Sequence, residues 1–337
     1  MIGRAAAAIC SVLLLAGCGQ SAAPAQRSAG AAGYPLTVSN CGRDVVIDAP
    51  PARAVSLNQG STEILLSLGL ADRMVGTATW TDPIRPDLAA DNARVPQLAV
   101  NKPALETVLD TEPDFVSASF AGTLGPGGVA DRDEFEKLGV PTYLAPSDCV
   151  GRVTGSADGA RIAPLTMELI YDEIRDLAGI FDVPSRGEQL TAELRGRMTA
   201  ARAVADVDMA FWFSDIRAPY MAGCCGAPGI IAATVGARNI FADTIDEWPQ
   251  VSWEAVAARD PDVLVLADLS RRTIEGDSLA TKIQFLESNP VTARLTAVRE
   301  KRYIVVNGAD LNPSIRTVDG AEKVAHRLRE LGFVTGK

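Results

Sequence analysis

The stretch VSWEAVAARDPDVLVL, residues 251–266, decides the fold, because the chain carries a second version of it. In ALETVLDTEPDFVSAS, residues 104–119, Glu106 stands seven positions before Pro113-Asp114, and Glu254 stands seven before Pro261-Asp262. Each version reads as a short helix that opens on a glutamate and leads into an apolar strand.

The same alternation extends outward from both versions. RAVSLN (53–58) is a strand, STEILLSLGL (61–70) a helix closing near Gly69, and RMVGTA (73–78) a second strand. DEFEKLG (133–139) and VPTYLA (140–145) add a helix and a strand. In the second half MAFWFSD (209–215) is a strand and PGIIAATVGA (228–237) a helix closing near Gly236. QFLESNPVTARLTAVREKRYIVVN (284–307) supplies a further helix and strand. Strands alternating with helices predict an α/β fold with helix-covered parallel sheets, one in each half. A length of 337 residues also exceeds one core of ordinary size.

Between the halves lies SRGEQLTAELRGRMTAARAVADV (185–207). Ser185 and Glu188 form a capping-box pattern after Pro184, and Leu190, Leu194 and Met198 recur on one helical face. The expected division is a lobe over 35–184, a joining helix over 185–206 and a lobe over 207–337.

The formal charge of −10 excludes nucleic acid as a partner, since phosphate neutralisation needs clustered Lys and Arg. It leaves room for an anionic small molecule held by a few local arginines. At the start, Arg4 precedes the apolar run Ala5–Leu15, too short to span a bilayer as a mature helix. The run ends in Leu15-Ala16-Gly17-Cys18, which resembles the lipobox of bacterial lipoproteins, whose cysteine is acylated and becomes the new N-terminus. The plainer alternative is a secretory signal with an incidental cysteine. The expectation is a leader over 1–17, lipidation at Cys18, and a flexible tether over 18–34 rich in small residues.

In an exported chain Cys41, Cys149, Cys224 and Cys225 form an even set that favours disulfides, with three pairings open. The favoured set joins Cys41 to Cys149 and Cys224 to Cys225. A zinc site would want histidines or a spaced C-x-x-C pair.

RAVSLNQGSTEILLSLGLADRMVG, LETVLDTEPDFV and WPQVSWEAVAARDPDVLVL, in that order and spacing, resemble the motifs of the substrate-binding proteins of ABC importers for ferric siderophores, haem and cobalamin. The likeness covers about residues 36 to 335. It implies two Rossmann-like α/β lobes joined by a long helix, with the ligand in the cleft between them. It also implies that Glu106 and Glu254 each meet arginines on one subunit of a permease dimer, contacts that steer docking and fix register. The alternative is that both are first-turn glutamates favoured by the helix dipole, an effect of about 0.3–1 kcal/mol. A catalytic carboxylate pair fails, because equivalent places on separate lobes do not converge within the ~5–10 Å such chemistry needs.

For the ligand, the likeness points to Trp80, which follows a strand, and to Trp248 at the cleft edge of the second lobe. Phe120, Trp212 and Tyr220 are further candidate rings, although any one of them could simply be core. Arg316, and less strongly Arg217, are candidates for gripping chelate oxygens with a bidentate guanidinium. The single histidine, His326, lies in a C-terminal amphipathic helix, so the chain lacks the ligands for a bare transition metal. No resident cofactor is expected. Cargo is expected in the order ferric siderophore, haem (ligated by Tyr220 or Met221, or merely sandwiched between aromatic rings) and cobalamin.

Two other classes compete. An exported enzyme would need a nucleophile with a base, yet there is no G-x-S-x-G and no histidine near a Ser or Cys nucleophile. A lipoprotein of this fold could instead partner another envelope assembly. The preferred reading is a non-enzymatic receptor, lipid-anchored on the outer face of the cytoplasmic membrane, that delivers chelated iron to an ABC importer.

Overall fold

The structure, a computed structural model, describes residues 33–80, 82–153, 159–271 and 274–334. The expected leader, Cys18 and nearly all of the expected tether lie outside these residues.

The described chain opens with an antiparallel hairpin, β1 (Leu36–Asn40) and β2 (Arg43–Ile47). The N-terminal lobe then builds a five-stranded sheet from β3 (Ala54–Leu57), β4 (Met74–Ala78), β5 (Gln97–Ala99), β6 (Phe115–Ala118) and β7 (Thr142–Leu144). Its order is β5-β4-β3-β6-β7 and every pairing is parallel. The C-terminal lobe uses β8 (Asp208–Ser214), β9 (Tyr220–Met221), β10 (Arg238–Asn239), β11 (Val263–Asp268) and β12 (Tyr303–Asn307). There β10-β8-β11-β12 are parallel, and the short β9 lies antiparallel on β8.

The two sheets share one plan. The first strand, β3 or β8, is central, and the strand that follows the glutamate helix, β6 or β11, pairs on its other side. Gly69 ends the helix after β3 and Gly236 the helix after the β8–β9 pair, with φ of 76° and 68°, a left-handed conformation that glycine adopts without penalty.

Side chains alternate across each sheet with a period of two. Met209 and Phe211 of β8, with Val263 and Val265 of β11, face an inner core, whereas Ala210, Trp212, Leu264 and Leu266 face an outer one. The N-terminal lobe has its own outer core around Val55, Leu57, Val116 and Phe135. The inner core is continuous from Leu65 and Phe115 in one lobe, through Ile174 and Leu194, to Phe211 and Val265 in the other.

The connection differs from the single strut expected over 185–206. The helix runs from Pro184 to Ala201, with Pro184 at its first position and Val183 as a cap that makes no side-chain bond. Ser185 therefore sits inside the first turn. Glu188 pairs with Arg175 at 3.1 Å instead of closing a capping box. A second helix, Met167–Ile180, precedes it and packs against it antiparallel. Leu165 N–H, just before this helix, bonds Cys225 O of the C-terminal lobe at 2.9 Å. Past its far end, Phe181 O accepts from Arg73 of the N-terminal lobe at 2.6 Å. The chain thus crosses to the C-terminal lobe in the loop after β7, returns along Met167–Ile180, and crosses again along Pro184–Ala201. Helix Met167–Ile180 buries Ile170, Ile174 and Leu177 on one face at helical spacing.

Disulfides join Cys41 to Cys149, with Cα atoms 5.6 Å apart, and Cys224 to Cys225. Among the described residues no helix is long and apolar enough to cross a membrane.

Candidate ligand-binding site

In parallel α/β sheets, ligands bind beyond the carboxyl ends of the strands where the strand order reverses. Here the carboxyl ends of both sheets face one cavity of about 220 Å³ between the lobes. Gln59 and Gly60 follow β3, Thr79 and Trp80 follow β4, and Ser119 and Phe120 follow β6. From the other lobe come Phe213 near the end of β8, Leu269 after β11, and Gly308 and Ala309 after β12. Asn312 to Ser314 close the floor just before helix Arg316–Glu330.

Local backbone conformation aims these side chains. Asn58 leaves β3 at φ 79°, and its Oδ1 accepts from Ser119 N–H at 3.0 Å and Thr123 Oγ1 at 3.1 Å, tying the ends of β3 and β6 together. Thr79 sits at φ 63°, which is costly for a β-branched residue and marks a site where structure is held against its preference. That turn carries Trp80, whose Nε1–H donates to Thr77 Oγ1 at 2.8 Å. Thr77 in turn bonds Thr62 Oγ1 at 2.7 Å, and Thr62 bonds Ser56 Oγ at 2.8 Å, so buried hydroxyls fix the indole from beneath.

The floor is also where the lobes touch. A Cβ on Gly60 would lie 2.8 Å from Ser119 Oγ and 3.2 Å from Ser314 Cβ of the opposite lobe, so only glycine permits this approach. Arg316 grips Glu63 across the interface, and Arg85 lies 3.4 Å from Asp319. Asp82 Oδ2 accepts from Ala309 N–H at 2.7 Å. Burial raises the Asp82 carboxyl above its ordinary range, while the Ala309 N–H and the Arg316 charge oppose that rise. Burial also works against the Arg316 charge, but its bonds to Glu63 and the nearby Asp310 and Asp319 outweigh it and raise its pKa.

Of the candidate residues, Trp80, Phe120 and Arg316 line the cavity. Arg316 does so as a locked group, bonded through Nε to Glu63 Oε2 at 2.8 Å and through Nη2 to Oε1 at 2.6 Å. Trp248 is not in the lining but packs on Phe213, which is, with ring centroids 5.0 Å apart. Trp212 is a correction. As the neighbour of Phe213 on a strand it points to the opposite face, where it is fully buried against Trp253 at 4.8 Å. Tyr220 is half-buried on β9, and Arg217 is exposed on a turn whose N–H donates to Asp215 Oδ1; neither lines the cavity. Glu106 and Glu254 are both exposed, near the starts of helices Leu105–Leu109 and Trp253–Arg259 on the outer layers of their lobes. His326 is exposed beside Glu330, 3.1 Å away.

Phe213, Leu269, Asp82 and Glu63 are absent from the expectations. Phe213 and Leu269 could have been found by applying to β8 and β11 the strand-end position that singled out Trp80. Asp82 and Glu63 carry no such local signal. Among the described residues no three His, Cys, Asp or Glu side chains gather as a metal site. A larger groove, about 1240 Å³, lies elsewhere, between the helix pair and helix Ala227–Val235, and no strand end opens into it.

Comparison with known proteins agrees with this two-lobed α/β fold. The model of the periplasmic binding protein family matches residues 55–308. A vitamin B12-binding protein of Vibrio parahaemolyticus is 27% identical over 233 residues, covering 68% of this chain and 74% of that one. The crystal structure of a periplasmic binding protein from Veillonella parvula superposes with a TM-score of 0.75 at 25% identity, covering 87% of this chain and 97% of that one. An ABC-type Fe3+-hydroxamate transport protein from Saccharomonospora viridis gives 0.69 at 25% identity, covering 88% and 99%.

Proposed function

The chain belongs to the periplasmic binding protein family, and from that premise we propose that it is the extracytoplasmic receptor of an ABC importer, capturing a ferric siderophore and presenting it to the permease. One observation carries the reading. The facing strand ends form a cleft with Trp80, Phe120, Phe213 and Leu269 as an apolar frame and, among the described residues, no metal-ligating cluster. Such a frame suits cargo whose metal is already fully coordinated and which is held by its ligand shell.

A cavity of about 220 Å³ is smaller than the roughly 300–1,000 Å³ of pockets that enclose a small ligand. The chelate is therefore gripped by one face and stands partly out of the cleft. Cobalamin, likewise coordinated by its own ring, is the second reading, supported by the B12-binding relative. Haem ranks lower here than in the sequence-based order. Met221 is fully buried in the outer core and Tyr220 stands outside the cleft lining, so neither expected axial ligand is on hand and haem is left with a sandwich between the cleft rings alone.

Glu106 and Glu254, each on the outer layer of its own lobe, are the residues we assign to docking on a two-fold permease. The acyl anchor at Cys18 stands on the lipobox-like sequence and would keep the receptor at the membrane surface. The experiment is a titration of the mature chain, begun after Cys18, with ferric siderophores, cyanocobalamin and haem, followed by tryptophan fluorescence and calorimetry. Saturable one-to-one binding of a ferric chelate, absent with its iron-free form, is expected. Binding of none of these ligands overturns the reading.

A further inference from the structure

Among the described lining residues the cleft holds one carboxylate with capacity to spare and no cation with any. Asp82 spends Oδ2 on the Ala309 N–H, and Oδ1 makes no hydrogen bond to a described residue although Asp82 lines the cavity. The approach is possible because residue 308 is glycine: a Cβ there would meet Leu269 Cδ2 at 2.4 Å and Asp82 Oδ2 at 3.3 Å. Arg316 is the only Lys or Arg among the described lining residues. Its Nε and Nη2 are taken by Glu63 and Pro83 O, and Nη1 lies 3.6 Å from Asp310 Oδ1. Glu63 thus cancels the one positive charge among the described lining residues, and Asp82 sets the sign that those residues give the cleft floor.

We infer that Asp82 is the residue that selects cargo by charge, so that the cleft takes chelates that are uncharged or cationic and bring a hydrogen-bond donor to the floor, and rejects polyanionic ones. The inference rests on the reading of this cleft as the ligand site. A donor reaching Asp82 Oδ1 gains a charge-assisted bond in a site of low dielectric, while a polyanion meets repulsion there with no free guanidinium among the described lining residues to offset it. This reverses the role expected for Arg316 as a clamp for carboxylate or catecholate oxygens. Its fork already holds a carboxylate, and that carboxylate belongs to the protein.

The test uses the mature chain and defined probes in calorimetry. Ferrioxamine B carries a pendant ammonium, its N-acetyl derivative is the same chelate without that charge, and a ferric tris-catecholate carries three negative charges. Wild type is expected to bind ferrioxamine B at least about tenfold more tightly than the N-acetyl form, as a hydrogen bond to a charged group requires, and the tris-catecholate weakest of all. Asp82→Asn keeps an acceptor for the Ala309 N–H and removes the charge. It should bring the two hydroxamates to within about twofold and strengthen the tris-catecholate. Wild type that prefers the tris-catecholate, or that ignores the ammonium, overturns the inference whether or not the variant folds, and so does an Asn variant with unchanged preferences. Those results leave the receptor reading standing. Failure of every chelate, cyanocobalamin and haem to bind removes the receptor reading and this inference together.

Discussion

Arg316 of the C-terminal lobe and Glu63 of the N-terminal lobe form a two-bonded ion pair in the interface, with side-chain exposures of 4% and 0%. A buried pair is weak as a source of net stability but expensive to break, because the surviving partner is left without its counter-charge. Glu63→Gln or Arg316→Met alone should each cost about 3–5 kcal/mol in urea unfolding. Replacing both with apolar residues should cost clearly less than the sum of the two. Additive losses would show that the pair is not coupled across the interface.

Trp80 and Trp212 should respond oppositely to truncation. Trp80→Ala removes a ring from the cleft wall and should weaken chelate binding by at least about tenfold, as loss of an aromatic anchor does, with the melting temperature little changed. Trp212→Ala opens a hole in the outer core and should cost about 3–5 kcal/mol of stability. Calorimetry and thermal melts on both variants separate the two roles.

Glu106→Ala with Glu254→Ala should leave chelate affinity unchanged and abolish uptake through the cognate permease, since both carboxylates are exposed and remote from the cleft lining. Normal uptake by cells carrying the double variant would remove these glutamates from docking.

Glu173, fully buried on helix Met167–Ile180, has its pKa pushed up to about 8 by burial and, secondarily, by the nearby Asp176 charge. Its Oε2 has no hydrogen-bond partner. The folded state therefore holds this proton more tightly than the unfolded chain. The stability it contributes is complete below the unfolded carboxyl range near 4.5 and is lost as pH rises towards about 8. Glu173→Gln should abolish that loss, so the variant's melting temperature should exceed the wild type's by a margin that widens from pH 5 to pH 8. A constant margin would mean that Glu173 does not titrate in this window.

The α/β plan was legible because its evidence is local. Glu106 and Glu254 sit before matching strands, and Gly69 and Gly236 close the helices after β3 and after the β8–β9 pair. Helix Met167–Ile180 is as legible in its apolar spacing, and only the stretch 185–206 taken by itself makes the connection look single. The cleft was legible only where a ring follows a strand directly, as Trp80 and Phe120 do. Trp212 was misplaced because neighbouring residues on a strand face opposite ways, and it was Phe213 that reached the cleft. Glu63 resembled any polar residue of an exposed helix. Its partner lies 253 residues later, and no local pattern announces a contact of that range.

Two helices lying side by side across the lobes, with one core running beneath them, resist a change of width between the lobes more than a single strut would. On the proposed docking role, cargo that left the spacing between Glu106 and Glu254 unchanged would give a permease touching those two points the same footprint from an empty receptor as from a full one. What would change on loading is the chemistry between the points: bare rings and a carboxylate when empty, the projecting face of the proposed chelate when full. Empty receptors would then compete with loaded ones for the same dock, and the rate of import would depend on the ratio of the two at the membrane as well as on how tightly either one holds its cargo.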